Sequence, residues 1–162
     1  MNLSIRRMNS SDVCSVKKLI DKTMLHRSMQ KVYEASELAI WDSIYTIEEV
    51  DRIEKECHSY VIIDDDTDSV VACGYISLNK ETNSAYIGMV FTDYEVQNMG
   101  LGKKTMQTLE NDEYAKCVNR IELYSALSAF HFYKKLGYNC MNNQYDIEVH
   151  SDVCVIPMEK FV

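Results

Sequence analysis

Between Ser59 and Phe91 three β-branched and aromatic runs follow one another, SYVIID, VVACGYISL and AYIGMVF, separated only by DDTDS and NKETNS. Valine, isoleucine and tyrosine suit a pleated, half-buried surface, and clusters of Asp, Asn and Ser favour turns. The segment therefore predicts three consecutive antiparallel strands joined by short loops.

The flanking sequence changes period. LSIRRM alternates briefly and reads as a first strand, after which SSDVCSVKKLIDKTML sets Val13, Val16, Leu19, Ile20 and Met24 near one helical face behind a serine start. SELAIWDSIY reads as a shorter helix, and Thr46 with Glu49 forms a capping box that opens another, with Ile47, Val50, Ile53 and Cys57 as its apolar face. Beyond the meander, KKTMQTLENDEYAK is helical, RIELYS is a strand, and ALSAFHFYKKLGY is a helix whose end is marked by Lys134, Lys135 and a left-handed Gly137. YDIEVH and VCVIPMEK supply two closing strands. A helix between the fourth and fifth strands allows these two to lie parallel while the hairpins stay antiparallel. The expectation is an α/β (α+β) fold: a mixed, mostly antiparallel sheet of six to seven strands flanked by helices.

A chain of 162 residues can bury one good core, so residues 1–162 are read as a single domain. No run approaches the roughly 20 apolar residues of a membrane span, and MNLSIRRMNSSD lacks the apolar stretch of a signal peptide, which points to a cytoplasmic protein without a membrane role. The six cysteines lie at wide, unequal intervals with no C-x-x-C pair, so they read as free thiols and no metal site is expected. With 17 Lys and Arg against 25 Asp and Glu, a formal charge of -8, broad contact with a nucleic-acid backbone is disfavoured and a cationic small molecule is better received.

Two of the five glycines stand in EVQNMGLGKK, between a predicted strand and a predicted helix. Amides at a helix start have no partner one turn back, and Gly100 and Gly102 remove side chains that would hold an anion off them. A diphosphate fits, with Lys103 and Lys104 adding charge at the rim. The spacing is neither the G-x-x-x-x-G-K-[ST] of a P-loop nor G-x-G-x-x-G, but Gln97-x-x-Gly100-x-Gly102. From these residues alone, a nucleotide-binding α/β protein is one reading.

Here the chain resembles the GNAT superfamily of acyl-CoA-dependent N-acyltransferases, whose pyrophosphate loop follows [RQ]-x-x-G-x-[GA] after the fourth strand. The segment AFHFYKKLGY from Ala129 is similar to that family's A-x-x-F-Y-x-K-x-G-[FY] helix, through Ala129, Phe132, Tyr133, Lys135, Gly137 and Tyr138. The strand order matches from Ile5 to the end. Phe132 and Tyr138 also suit a core, but Tyr133, next to Phe132 around the helix, cannot share its direction.

The resemblance implies acetyl-CoA as co-substrate and an amine-bearing acceptor, a small molecule or a protein. It places the pantetheine arm along Val90, Phe91 and Thr92, and the diphosphate on Asn98, Met99, Gly100, Leu101, Gly102 and Lys103 beside Gln97. The fourth and fifth strands would splay, with a bulge around Gly88 to Phe91 as the means. Ala129 and Phe132 fall on the cofactor side, and Tyr133 would protonate the leaving thiolate. Tyr33 and Trp41, with Glu34 and Glu37, would line the acceptor site. Two departures stand out. Many relatives carry a glutamate base where this chain has Gly88, leaving His131, His58 and Glu81 as candidates. Many also carry an asparagine where Ala126 stands, so that contact is lost or moved to Ser125 or Ser128. A catalytically weak CoA-binding regulatory module is the alternative, and pairing of two copies through the closing strands is open to the chain.

Overall fold

A computed structural model describes residues 2–96 and 98–162, with all their side chains except those of Arg27 and Ser28. Strand β1 (Leu3–Arg7) leads to a 3-10 turn, Ser10–Asp12, and then α1 (Val13–Met24). The cap is Asn9 rather than a serine: its side chain accepts from the Ser11 amide, and the Asp12 carboxylate accepts from the Asn9 amide at 2.9 Å. Val13, Val16, Leu19, Ile20 and Met24 are all buried, as the spacing requires.

Helices α2 (Arg27–Gln30), α3 (Ala35–Ile44) and α4 (Ile47–Glu56) follow. At α4 only half of the expected capping box forms. Thr46 Oγ1 accepts from the Glu49 amide at 3.2 Å, but the Glu49 carboxylate turns forward to Arg52, at 2.7 and 2.9 Å. A guanidinium fork offers a carboxylate two charged donors where the backbone offers one. Val50, Ile53 and Cys57 are buried, whereas Ile47, in the first turn, is 49% exposed.

The meander is formed by β2 (His58–Asp64), β3 (Ser69–Asn79) and β4 (Ser84–Thr92). Helix α5 (Leu101–Glu110) and α6 (Glu113–Lys116) stand where one continuous helix is predicted, and Asp112 explains the break: its side chain caps α6 through the Tyr114 amide at 2.8 Å. Then come β5 (Arg120–Ala126), a 3-10 turn (Leu127–Ala129), α7 (Phe130–Lys135), β6 (Asn139–Cys140), β7 (Glu148–His150) and β8 (Val153–Phe161). Gly137 closes α7 at φ +92°, a left-handed conformation.

The eight strands run in the order β1-β2-β3-β4-β5-β8-β6, with β7 also on β8. Among the described residues only β4 and β5 pair in parallel. The strand beyond the expected count is the two-residue β6, too short to show a period in the sequence. On one face α1, α3 and α4 cover Val61, Cys73, Met89, Val153 and Val155; on the other α5 and α7 cover Ile76, Ile87, Ile121, Leu123 and Met158. Each aliphatic side chain fully buried in these layers contributes about 1.5–3 kcal/mol.

Asp112 also ties the sheet to α6. It is 5% exposed and accepts from the Tyr60 hydroxyl at 2.7 Å and from His58 Nδ1 at 2.9 Å. Burial pushes its carboxyl up, but the Tyr114 amide, the Tyr60 hydroxyl and His58 together outweigh burial and hold it below the ordinary carboxylate range. A depressed folded value means stability that is present above the unfolded carboxyl range and lost as pH falls through the folded one. Asp112→Asn is expected to lose about 1–3 kcal/mol at pH 7, because an amide accepts these donors poorly. Chemical denaturation across pH checks this: the gap from wild type should narrow toward acid, and an equal midpoint at pH 7 would contradict it.

Candidate active site

The site begins with a lost strand pairing. Although β4 continues to Thr92 and β5 to Ala126, they pair only over Ser84, Ala85 and Tyr86 against Arg120, Ile121 and Glu122. A bulge accounts for the divergence. Opposite the step from Tyr75 to Cys73 on β3, β4 passes from Gly88 to Phe91 with one residue too many, which bends and twists the bulged strand.

Met89 takes the left-handed turn of this bulge, at φ +53°. A side chain in that region costs on the order of 1 kcal/mol. Burial holds it there, with Met89 2% exposed and its carbonyl accepting from Cys73 Sγ at 3.3 Å. Gly88 serves differently: a Cβ there would lie 2.7 Å from Cε1, Cζ and the hydroxyl of Tyr75. The space that a glutamate would occupy is filled by a phenol.

Between the diverging strands lies a cavity of about 460 Å³, lined from both helical layers. From the α5 and α7 side come Gly102, Ala129, Phe132 and Tyr133; β4 contributes Val90, Phe91 and Thr92; the opposite side contributes Trp41, Ile44, Tyr45, Tyr86, Tyr124 and His150. The structure therefore brings together Val90, Phe91, Thr92, Gly102, Ala129, Phe132, Tyr133 and Trp41, and also Ser128, one of the two serines expected to replace the asparagine contact.

Others lie apart from the cavity. Asn98 (φ +68°) and Gly100 (φ +75°) turn the chain into α5 with Met99 exposed between them. A Cβ on Gly100 would meet nothing within 4 Å, so its bareness answers to the backbone turn and leaves open space in front of it. Among the described residues the amides of Gly102 and Lys103 have no backbone partner one turn back, and the first intrahelical bond runs from Lys104 N to Gly100 O at 2.9 Å. The Leu101 side chain packs into the core with Ile62, Val71 and Val96, so only its backbone is available, and Lys103 is exposed. Gln97 lies outside the described residues. Gly102 has a second reason to be bare, because a Cβ there would stand 3.2 Å from the Phe132 ring.

Two expected residues are placed elsewhere. Ser125 is fully buried and its hydroxyl donates to Ala126 O at 2.8 Å, away from the cavity. Tyr33 is also buried, donating to Cys154 O at 3.0 Å and accepting from the Leu127 amide at 2.8 Å, so its hydroxyl braces the start of the turn before α7. Glu34 and Glu37 cap α3 reciprocally instead of lining the cavity.

The Tyr133 ring is 7% exposed and packs edge-on against Phe132 and Tyr138, with centroids 5.0 and 6.0 Å away. Burial, assisted by Tyr86, raises its phenol well above the ordinary tyrosine range, so it is protonated at neutral pH. His131, His58 and Glu81 do not line the cavity, whereas His150 does. His150 is not among the sequence-predicted site residues, although Glu148 and His150, two apart on one strand, share a face.

The sequence profile of the GNAT acetyltransferase domain matches residues 28–162. The chain belongs to the GNAT acetyltransferase family. Comparison with curated protein sequences gives no significant match, so this GNAT chain stands beside its relatives through structure. It superposes on PaiA N-acetyltransferase of Thermoplasma acidophilum, solved with coenzyme A, with a TM-score of 0.80 at 16% identity over the full length of both chains. A GCN5-related N-acetyltransferase of Rhodopseudomonas palustris gives 0.83 at 12% identity, covering 100% of this chain and 97% of the other. N-acetylglutamate synthase of Neisseria gonorrhoeae, solved with coenzyme A and N-acetyl-glutamate, gives 0.68 at 11% identity, over 99% of this chain and 35% of its own length. At such identities the likeness is one of fold, and it agrees with the mixed GNAT sheet and its single parallel pair.

Proposed function

We propose that this GNAT chain transfers an acetyl group from acetyl-CoA to a primary amine by direct attack on the thioester. The observation that carries the reading is the unpaired edge of β4 beside the bare start of α5, with Tyr133 lining the same cavity. An extended pantetheine arm can add to Val90–Thr92 as a strand would. The diphosphate would rest on the amides from Asn98 to Lys103, in the open space before Gly100. Attack creates an oxyanion, and one preorganised amide of the bulged strand is worth roughly 3 kcal/mol to it. Tyr133, protonated and without a protein hydrogen-bond partner among the described residues, is the donor to the departing sulfur. The acceptor side is lined by Trp41, Ile44, Tyr45 and Tyr124 and by no carboxylate, which suits an amine carried on an apolar or aromatic body.

Calorimetric titration with CoA and then ATP, followed by thiol release from acetyl-CoA across an amine panel, tests this reading. CoA binding without ATP binding, and turnover with apolar primary amines, is expected; tight ATP binding without CoA binding would reject it, and CoA binding without turnover would favour a regulatory module. Gly100→Asn probes the loop, since asparagine tolerates the left-handed turn yet puts a side chain before the amides. It should weaken CoA at least tenfold, about 1.4 kcal/mol, and unchanged affinity would remove the loop from the site.

A further inference from the structure

We infer that His150, oriented by Glu148, is the general base that deprotonates the acceptor amine, an assignment that rests on the transferase reading above. The place used for a carboxylate base in many relatives is closed here by Tyr75, so a base has to come from elsewhere. Strand β7 pairs with β8 through His150 and Val153, joined by Ser151 and Asp152 at φ +50° and +64°. Two successive left-handed residues make the tightest hairpin connection and fix the register of the residue before it.

Residues opposite each other in a ladder, and those two apart along a strand, share a face. Glu148 and His150 therefore point the same way as Val153 and Val155, into the cavity side of the sheet. His150 Nε2 lies 2.7 Å from Glu148 Oε2, and its ring stacks on Tyr124 with centroids 4.1 Å apart. A carboxylate only accepts, so Nε2 carries the proton and Nδ1 carries the lone pair. Nδ1 has no protein partner among the described residues. The arrangement holds the imidazole in one tautomer with its basic nitrogen unspent. Among the described residues the ionisable groups in contact with it are Glu148 on its own strand and Tyr124 from β5; of the residues that share its cavity, Tyr45, Tyr86 and Tyr133 are further phenols, while Val153, Val155, Trp41 and Ile44 bring no charge.

The step balances as follows. The ammonium gives one proton to Nδ1, and the freed nitrogen pair forms the C–N bond at the thioester carbonyl. Collapse breaks the C–S bond, the sulfur takes the Tyr133 hydroxyl proton, and the second proton on nitrogen restores Tyr133. His150 then releases its proton to water, leaving amide, CoA thiol and one proton.

The test compares wild type with His150→Gln and His150→Ala, using acetyl-CoA, an alkylamine and an arylamine, with thiol release as readout. His150→Gln should lower kcat/KM for the alkylamine near neutral pH by about a hundredfold or more and move the rise of its pH profile to alkaline pH, where the ammonium loses its proton unaided. An arylamine, already neutral at pH 7, should lose far less, and added imidazole should restore part of the alkylamine rate in His150→Ala. CoA affinity and the thermal midpoint of both variants, measured in parallel, should stay near wild type. If wild type turns over the alkylamine and His150→Gln matches it in rate and pH profile, His150 is not the base. A loss equal for both amines, without rescue, also overturns the assignment. Wild-type protein that binds CoA but acetylates neither amine overturns the transferase reading itself.

Discussion

Tyr133→Phe is expected to lower kcat at least about tenfold, the low end of what a positioned acid contributes to proton transfer, while CoA affinity stays within a factor of about two. The substitution removes one oxygen and keeps the ring that packs between Phe132 and Tyr138, so the fold should not change. Burial has two opposed effects on this phenol. It makes the hydroxyl a weaker acid, yet it keeps it protonated far into the alkaline range, and the same dry surroundings disfavour the leaving thiolate even more strongly than water does. The rate of wild type should therefore show no alkaline decline from Tyr133 until pH exceeds the ordinary tyrosine range. Single-turnover kinetics decide it: an unaltered chemical step in the phenylalanine variant would remove Tyr133 from the mechanism.

Gly88→Glu is expected to damage the protein instead of supplying the base that many relatives carry on the fourth strand. The new Cβ would stand 2.7 Å from Cε1, Cζ and the hydroxyl oxygen of Tyr75, a rigid side chain packed against the core that contains Val61 and Cys73. Overpacking of this kind costs about 1–3 kcal/mol, and a carboxylate forced toward the Tyr75 and Tyr86 rings adds a desolvation penalty. At about 2–4 °C per kcal/mol for a chain of this size, the thermal midpoint should fall by several degrees, with no gain in turnover. Gly88→Glu combined with Tyr75→Ala should recover part of the loss, because the ring that collides is gone. A single variant as stable as wild type and faster than it would show that Tyr75 does not close this place.

These two outcomes depend on features legible in the sequence to different degrees. The strand order and the parallel β4–β5 pair are legible because periodicity and turn chemistry point to the same arrangement, whereas the bulge follows only from the family resemblance. Tertiary contacts decided the rest. Gly88 suggested itself as the flexible point of the bulge, yet Met89 carries the left-handed backbone, and Gly88 is bare because of a ring thirteen positions earlier in the chain. Gly102 likewise answers to Phe132 on another helix as well as to any ligand. Asp112 broke a helix whose apolar spacing continued through it, because three donors from β2 and α6 gather on its carboxylate. Tyr33 looked like an exposed aromatic for a substrate and became a brace between β8 and the turn before α7.

The cavity between β4 and β5 draws its walls from both layers of helices, and no cysteine is among the described residues that line it. The buried Cys73 thiol nearby is pushed up to about 12 by desolvation, far from the thiolate that a covalent relay would need. On the proposed direct transfer, donor and acceptor reside together in this cavity, and neither must leave before the other arrives. Initial-rate plots at several fixed concentrations of one reactant should accordingly give intersecting lines and not the parallel set of a double displacement.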